Sequence, residues 1–150
     1  MMVSFDTNVL VYATASIGDA KAMRARDLIA RAMRTGSSIL LLQTLAEFAN
    51  VAIRKAGIPI EDIRGIIDAW RAVLLVQAAD ETDLTTALEA ARAHRLAFWD
   101  AMLWASAQRA GVRHLLTEDM QDRFVLQGVT FINPFKRTND RLIDELLPAS

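Results

Sequence analysis

Cysteine is absent from the 150-residue sequence. That excludes a disulfide framework, a thiolate nucleophile and any cysteine-ligated zinc. Proline (three) and glycine (six) are too scarce for a collagen-like or low-complexity chain. Apolar runs are short, far from the roughly 20 residues that span a bilayer. Met1 to Asp6 has no basic start and places an acid where a signal peptide would be apolar. A cytoplasmic protein with no membrane association is therefore expected. Neither sign of charge dominates: 17 basic and 18 acidic residues leave a net charge of −1. Bulk electrostatic binding to nucleic acid or anionic lipid is thereby disfavoured, although a local patch and a metal could still hold a nucleic acid. Only Lys21, Lys55 and Lys136 are lysines. The other basic residues are arginines, the better fork for phosphate, though an arginine-rich composition is the plainer account.

What is present is 53% hydrophobic and 23% charged, the balance of one ordinary globular domain. Val3 to Phe5 reads as a short apolar strand ending on the polar triplet Asp6-Thr7-Asn8. Apolar residues at 22, 25, 29, 32 and 33 give helical spacing between Asp19 and Thr35, and Gly36 ends that helix. Ser37 to Leu42 has the continuous apolar pattern of a strand covered on both faces. Helices are expected from Leu45 to Lys55 and from Pro59 to about Arg71, where Glu61 and Asp62 favour the N-terminus. A short strand over Ala72 to Val76 follows, then helices over Asp80 to His94 and Trp99 to Ala110, the second closed by Gly111. His114 to Leu116 and Val129 to Ile132 are the last strands. Alternation of this kind predicts an α/β domain around a mostly parallel sheet, with its active site outside the carboxyl ends of the strands.

Four acids fall at those positions. Asp6 follows the first strand, Glu47 lies about one turn into the helix after the second, Asp100 opens a helix, and Asp119 comes three residues after Leu116. Each sits in apolar sequence, and no lysine or arginine adjoins any of them. Buried carboxylates are costly without a positive partner, and gathering them would raise their pKa values unless a cation stood between them. Oxygen ligands without cysteine or clustered histidine select Mg²⁺ or Mn²⁺ over zinc. Taken singly, each acid is equally a helix cap or first-turn residue; the set of four favours a metal site.

Phe5-Asp6-Thr7-Asn8-Val9-Leu10-Val11-Tyr12 resembles the opening motif of PIN-domain nucleases, particularly VapC-type toxins. Leu-Ala-Glu47-Phe, Phe98-Trp99-Asp100-Ala101, Leu116-Thr117-Glu118-Asp119-Met120 and Asn133-Pro134-Phe135 continue the resemblance in order. The resemblance implies a PIN-like α/β/α sandwich over residues 1–135 and a Mg²⁺- or Mn²⁺-dependent endoribonuclease. It also implies a cognate antitoxin, a homodimer and hydrolysis to a 5′-phosphate and a 3′-hydroxyl. Asp6, Glu47, Asp100 and Asp119 become the catalytic acids, with Asp6, Asp100 and Asp119 on the metal and Thr7, Asn8 and Thr117 orienting carboxylates. Asp122 stands near the last motif, where relatives often carry glycine nearby, and could join or replace Asp119.

Residues 136–150 extend past the resemblance. Thr138-Asn139-Asp140 suits a helix start, Leu142, Ile143, Leu146 and Leu147 form one stripe, and Pro148 suits its end, so a short helix docked on the domain or on a partner is expected. Arg24, Arg31 and Arg34 read as a solvated helix face. Trp99 and Trp104 read as core, and His94 and His114 as surface or helix-end residues. Three other functions are open. An aspartate-nucleophile phosphatase is disfavoured because Asn8 stands where its second aspartate belongs. A DNA nuclease is open because nothing in the sequence shows whether a 2′-hydroxyl is read. A catalytically silent PIN-like module acting through protein partners would use the same acids for architecture alone.

Overall fold

Strands and helices alternate along the computed structural model, which describes residues 2–15 and 19–150. The elements are β1 (Met2–Phe5), α1 (Thr7–Ala13), α2 (Ala20–Thr35), β2 (Ile39–Leu41), α3 (Leu42–Arg54), α4 (Ile60–Arg71) and β3 (Leu75–Gln77). They continue with α5 (Glu81–His94), α6 (Phe98–Arg109), β4 (Val112–Leu116), β5 (Val125–Leu126), β6 (Val129–Ile132), a 3₁₀ turn (Arg137–Asn139) and α7 (Asp140–Leu146). The strand order β1-β4-β6 is parallel, and β5 adds antiparallel to β6. Strands β2 and β3 pair in parallel as well, and a parallel bridge from Val3 to Ser38 joins them to β1. The sheet is thus mostly parallel.

Side chains alternate across a strand, and here that alternation builds two cores. Leu40, Leu116 and Ile132 enter one core with Val9, Leu28, Phe48 and Trp70. Ile39, Leu41, Leu115 and Phe131 enter the other with Ala87, Ala101 and Trp104. Helices α1 to α4 and α7 therefore cover one face and α5 and α6 the other, the three layers of an α/β/α sandwich.

Local chemistry sets the element ends. Asp6, Asp19 and Asp80 each accept a backbone N–H at the start of a helix, and Gly36 closes α2 with φ at 65°. The strand expected over Ser37 to Leu42 is shorter, because Leu42 already turns into α3. The strand expected over Ala72 to Val76 begins only at Leu75, since the preceding residues continue the turn of α4. Helix α1 and strand β5 were not expected at all. The former is too short to show a period, and the latter is two residues long.

A second polar anchor fixes the far layer. Asp83 is 2% exposed and completes a capping box with Asp80. Arg109 binds it through Nε at 2.9 Å and through Nη2 at 3.1 Å. Asp83→Ala removes the acceptor of the Asp80 N–H and the main carboxylate partner of Arg109, which keeps Asp80 and the Ala78 carbonyl, so chemical denaturation should show a loss of about 1–2 kcal/mol. An unchanged denaturation midpoint would show that the pair contributes nothing.

The arginines of α2 do not form a solvated face. Arg31 is 8% exposed; its Nη1 donates to Asp144 at 2.6 Å and to the Leu147 carbonyl, and Asp27 takes Nη2 at 2.9 Å. Arg24 donates to the Pro134 carbonyl and pairs with Asp140, while Arg34 donates to the Ala149 carbonyl. All three hold the C-terminal segment on α2. Ile143, Leu146 and Leu147 complete that attachment by entering the core beneath.

Candidate active site

Pairing of Phe5 with Leu116 brings the ends of β1 and β4 side by side, so Asp6 and Thr117 meet at the sheet's carboxyl edge. Asp6 is 6% exposed. Its Oδ1 accepts the Thr7 N–H at 2.7 Å and its Oδ2 accepts the Thr117 hydroxyl at 2.7 Å. The Thr117 oxygen in turn accepts the Asp119 N–H at 3.2 Å. Asn8 donates to the Asp119 carboxylate at 3.0 Å. Thr7 donates to Glu47 Oε2 at 2.9 Å, and Gln43 donates to Glu47 Oε1 at 2.8 Å and to the Trp99 carbonyl at 3.0 Å. That last contact ties the start of α3 to the first turn of α6, where Asp100 sits.

Thr7, Asn8 and Thr117 thus orient three of the four acids through neutral donors. Among the described residues, Asp6, Glu47, Asp100 and Asp119 make no salt bridge. The consequence is electrostatic. Burial pushes the Asp6 carboxyl up to about 6, although the bonds from Thr117 and Thr7 oppose it, and the charges of Asp119 and Asp100 add to the rise. Asp100 also lies above the ordinary carboxylate range, through burial first and then the charges of Asp119 and Glu47.

Two nearby acids are occupied elsewhere. Asp122 accepts the Asn133 N–H at 2.8 Å and Asn139 Nδ2 at 2.9 Å, with Lys136 3.6 Å away. Those contacts outweigh burial and hold it below its ordinary range, in the turn that leads to α7 and not among the other acids. Glu118 receives Tyr12 and Lys21, which also outweigh its burial. Gln43 and the Tyr12–Glu118–Lys21 cluster were not singled out from the sequence. Gln43 was accessible, standing one turn before Glu47 on the same helix face.

Trp104 lies in the core at 1% exposure, but Trp99 is 64% exposed. Both tryptophans of α6 have apolar neighbours in sequence, and only packing shows which of them is covered. Trp99 faces a groove of about 670 Å³ shared with Leu42, Ala46, Glu47 and Met102. His94 is exposed at the end of α5, whereas His114 is half-buried in β4.

The donor set fits a hard divalent cation: carboxylate oxygens, no competing base, and a proton affinity at Asp6 that a cation would lower. Among the described residues no group of three or more of these acids is placed to hold a metal ion together. Any fit therefore rests on fewer direct ligands, as Mg²⁺ allows, since it keeps several waters and takes one or two protein carboxylates beside a substrate phosphate.

The sequence matches the family described as PIN domain over residues 3–124. No curated protein matches it. A sarcin-ricin-loop-cleaving VapC toxin of Mycobacterium tuberculosis aligns at a TM-score of 0.61 and 19% identity, covering 78% of this chain and 89% of that one. A toxin–antitoxin complex from Klebsiella pneumoniae aligns at 0.63 and 16%, covering 89% and 98%. The Rickettsia felis VapBC complex bound to a DNA fragment from its promoter aligns at 0.64 and 15%, again covering 89% and 98%. At these identities the structures establish a shared fold.

Proposed function

The chain belongs to the PIN-domain family, and from that premise we propose that it is a metal-dependent endoribonuclease, the toxin of a toxin–antitoxin pair. One observation carries the reading. Three acids are aligned by hydroxyl, amide and backbone donors, a fourth stands beside them, and among the described residues no basic side chain pairs with any of the four. If the acids served architecture alone, an arginine or lysine would be the cheaper partner, as Asp83 and Asp144 have here.

In this reading Asp6 and Asp100 would hold Mg²⁺ or Mn²⁺ directly, with Asp119 beside them facing the ion's water shell. When bound, such an ion polarises a phosphoryl oxygen and lowers the pKa of water. Thr117 spends its single proton on Asp6 and accepts from the Asp119 backbone, so it fixes both carboxylates at once. Asn8 aims Asp119 from the first turn of α1. Glu47, held at one oxygen by Thr7 and at the other by Gln43, keeps lone pairs free to take the proton of an attacking water. The neighbouring structures from Klebsiella and Rickettsia are toxin–antitoxin complexes, which supports a cognate antitoxin as partner. Exposed Leu42 and Trp99 around the groove beside Glu47 offer an apolar surface for a second copy or for that antitoxin. Among the described residues no helix is long and apolar enough to cross a membrane.

Mixed cellular RNA incubated with the purified protein should be cut in Mg²⁺ or Mn²⁺ and left intact in EDTA, with 5′-phosphate ends on sequencing. Absence of cleavage in every ion would favour a silent binding module, and cleavage of DNA in place of RNA would favour a DNA nuclease.

A stability prediction tests the ion separately from turnover. The Asp6 carboxyl binds its proton more tightly folded (about 6) than in its ordinary state (3.8), so without metal the fold loses stability as pH rises through that interval. The expected loss is up to about 3 kcal/mol between pH 4 and pH 7. Mg²⁺ at ten times its dissociation constant should return about 1.4 kcal/mol at pH 7 and less at pH 4.5. Equal melting with and without metal at both pH values would remove the support for a metal site.

A further inference from the structure

A cavity of about 430 Å³ opens beside the acid cluster, between the α5–α6 turn and the loop after β4. Asp100 and Asp119 form part of its wall, with His94, Arg95, Gln121 and Phe124 among the other lining residues. A phosphodiester entering here meets carboxylates, and the cavity must offer a cation to admit it. Among the described residues, Arg95 is the one arginine or lysine in the lining.

Two features of Arg95 bear on this role. It caps α5 in the left-handed conformation, φ 53° and ψ 35°, a position that favours glycine or asparagine and costs a branched-chain or long residue conformational energy. Its exposed guanidinium has no salt bridge or side-chain hydrogen bond among the described residues. Arg123, also left-handed, binds Asn139 Oδ1 at 2.6 Å. The Arg95 side chain has no such partner among the described residues. Strain of this kind collects at binding sites, where a ligand uses the residue that the fold does not.

We propose that Arg95 clamps the substrate strand, forking onto the RNA backbone phosphate next to the one that faces the acids. The planar guanidinium suits phosphate oxygens bidentately. The inference rests on the ribonuclease reading, since the cavity is continuous with Asp100 and Asp119.

Binding without turnover gives the test. Full-length protein carrying Asp6→Asn, in EDTA, is titrated into a fluorescein-labelled single-stranded RNA of mixed sequence at several salt concentrations. Adding Arg95→Gly should weaken binding by about tenfold or more. It should also make the slope of log K against log salt shallower by about 0.7, the loss of one phosphate contact on a single strand. Arg95→Lys should keep the slope, and the melting temperature of Arg95→Gly should hold or rise because glycine relieves the left-handed strain. Arg95→Asn, which tolerates the same backbone without charge, should repeat the glycine result. Affinity and slope equal to the parent in both neutral variants would overturn the clamp and leave the ribonuclease reading standing. A wild type that neither binds nor cuts RNA would overturn both.

Discussion

Asp6→Asn is expected to reduce RNA cleavage by at least about 10³-fold while the domain stays folded. Removing the charge at Asp6 takes away a carboxylate that would hold the ion, whose stabilisation of developing charge is worth several kcal/mol. Folding responds in the opposite direction. Asp6 is buried without a cation, and its carboxyl is pushed up to about 6 by that burial and by Asp119 and Asp100. Asparagine keeps the volume and still accepts the Thr7 N–H that starts α1. Its amide cannot accept the Thr117 hydroxyl on the other side, which returns part of the gain. In EDTA at pH 7 the variant should therefore be between equal in stability and about 3 kcal/mol more stable than the parent. Cleavage at the parental rate would place the chemistry elsewhere. A large loss of stability would recast Asp6 as a helix cap whose hydrogen bonds outweigh its charge.

Removal of residues 137–150 should cost more stability than any single substitution. Ile143 and Leu147 are fully buried and Leu146 is 8% exposed, all within the core that holds Val3, Leu28 and Ile132. Burial of a large apolar side chain is worth about 1.5–3 kcal/mol, so three amount to roughly 5–9 kcal/mol. The deletion also takes Asp144 and the Leu147 carbonyl from Arg31, leaving a nearly buried guanidinium with Asp27 alone. A loss of that size approaches the whole stability of an ordinary domain, about 5–15 kcal/mol. The truncated chain should show no cooperative melting transition. Ile143→Ala gives a graded version, with an expected cost of about 2–5 kcal/mol. If the truncated protein melts like the full chain, the segment is a passenger. We read residues 136–150 as part of the same folding unit as residues 1–135, because the core they fill is the domain's own.

Helical spacing, strand runs and the placement of acids just after strands were legible in the sequence because each is a local property. An apolar repeat on one helix face, or an aspartate capping the next helix, needs only its neighbours in the chain. The identity of the candidate acids followed from that, as did the α/β order. What the sequence could not reveal depends on which surface another part of the chain comes to cover. Arg31 reads as solvated on its own helix and becomes buried only because Asp144, 113 residues later, folds over it. Trp99 and Trp104 have the same apolar neighbours, yet α5 and the sheet cover one and leave the other open. Asp122 stands three residues from Asp119, and the turn before α7 draws it to Asn133 and Asn139 instead. Gln43 and Thr7 meet at Glu47 because α1 packs on α3, a contact that neither stretch encodes alone. Local free energies set the elements; the competition among distant surfaces for burial decided which polar groups were paired inside the fold and which were left facing the cavity.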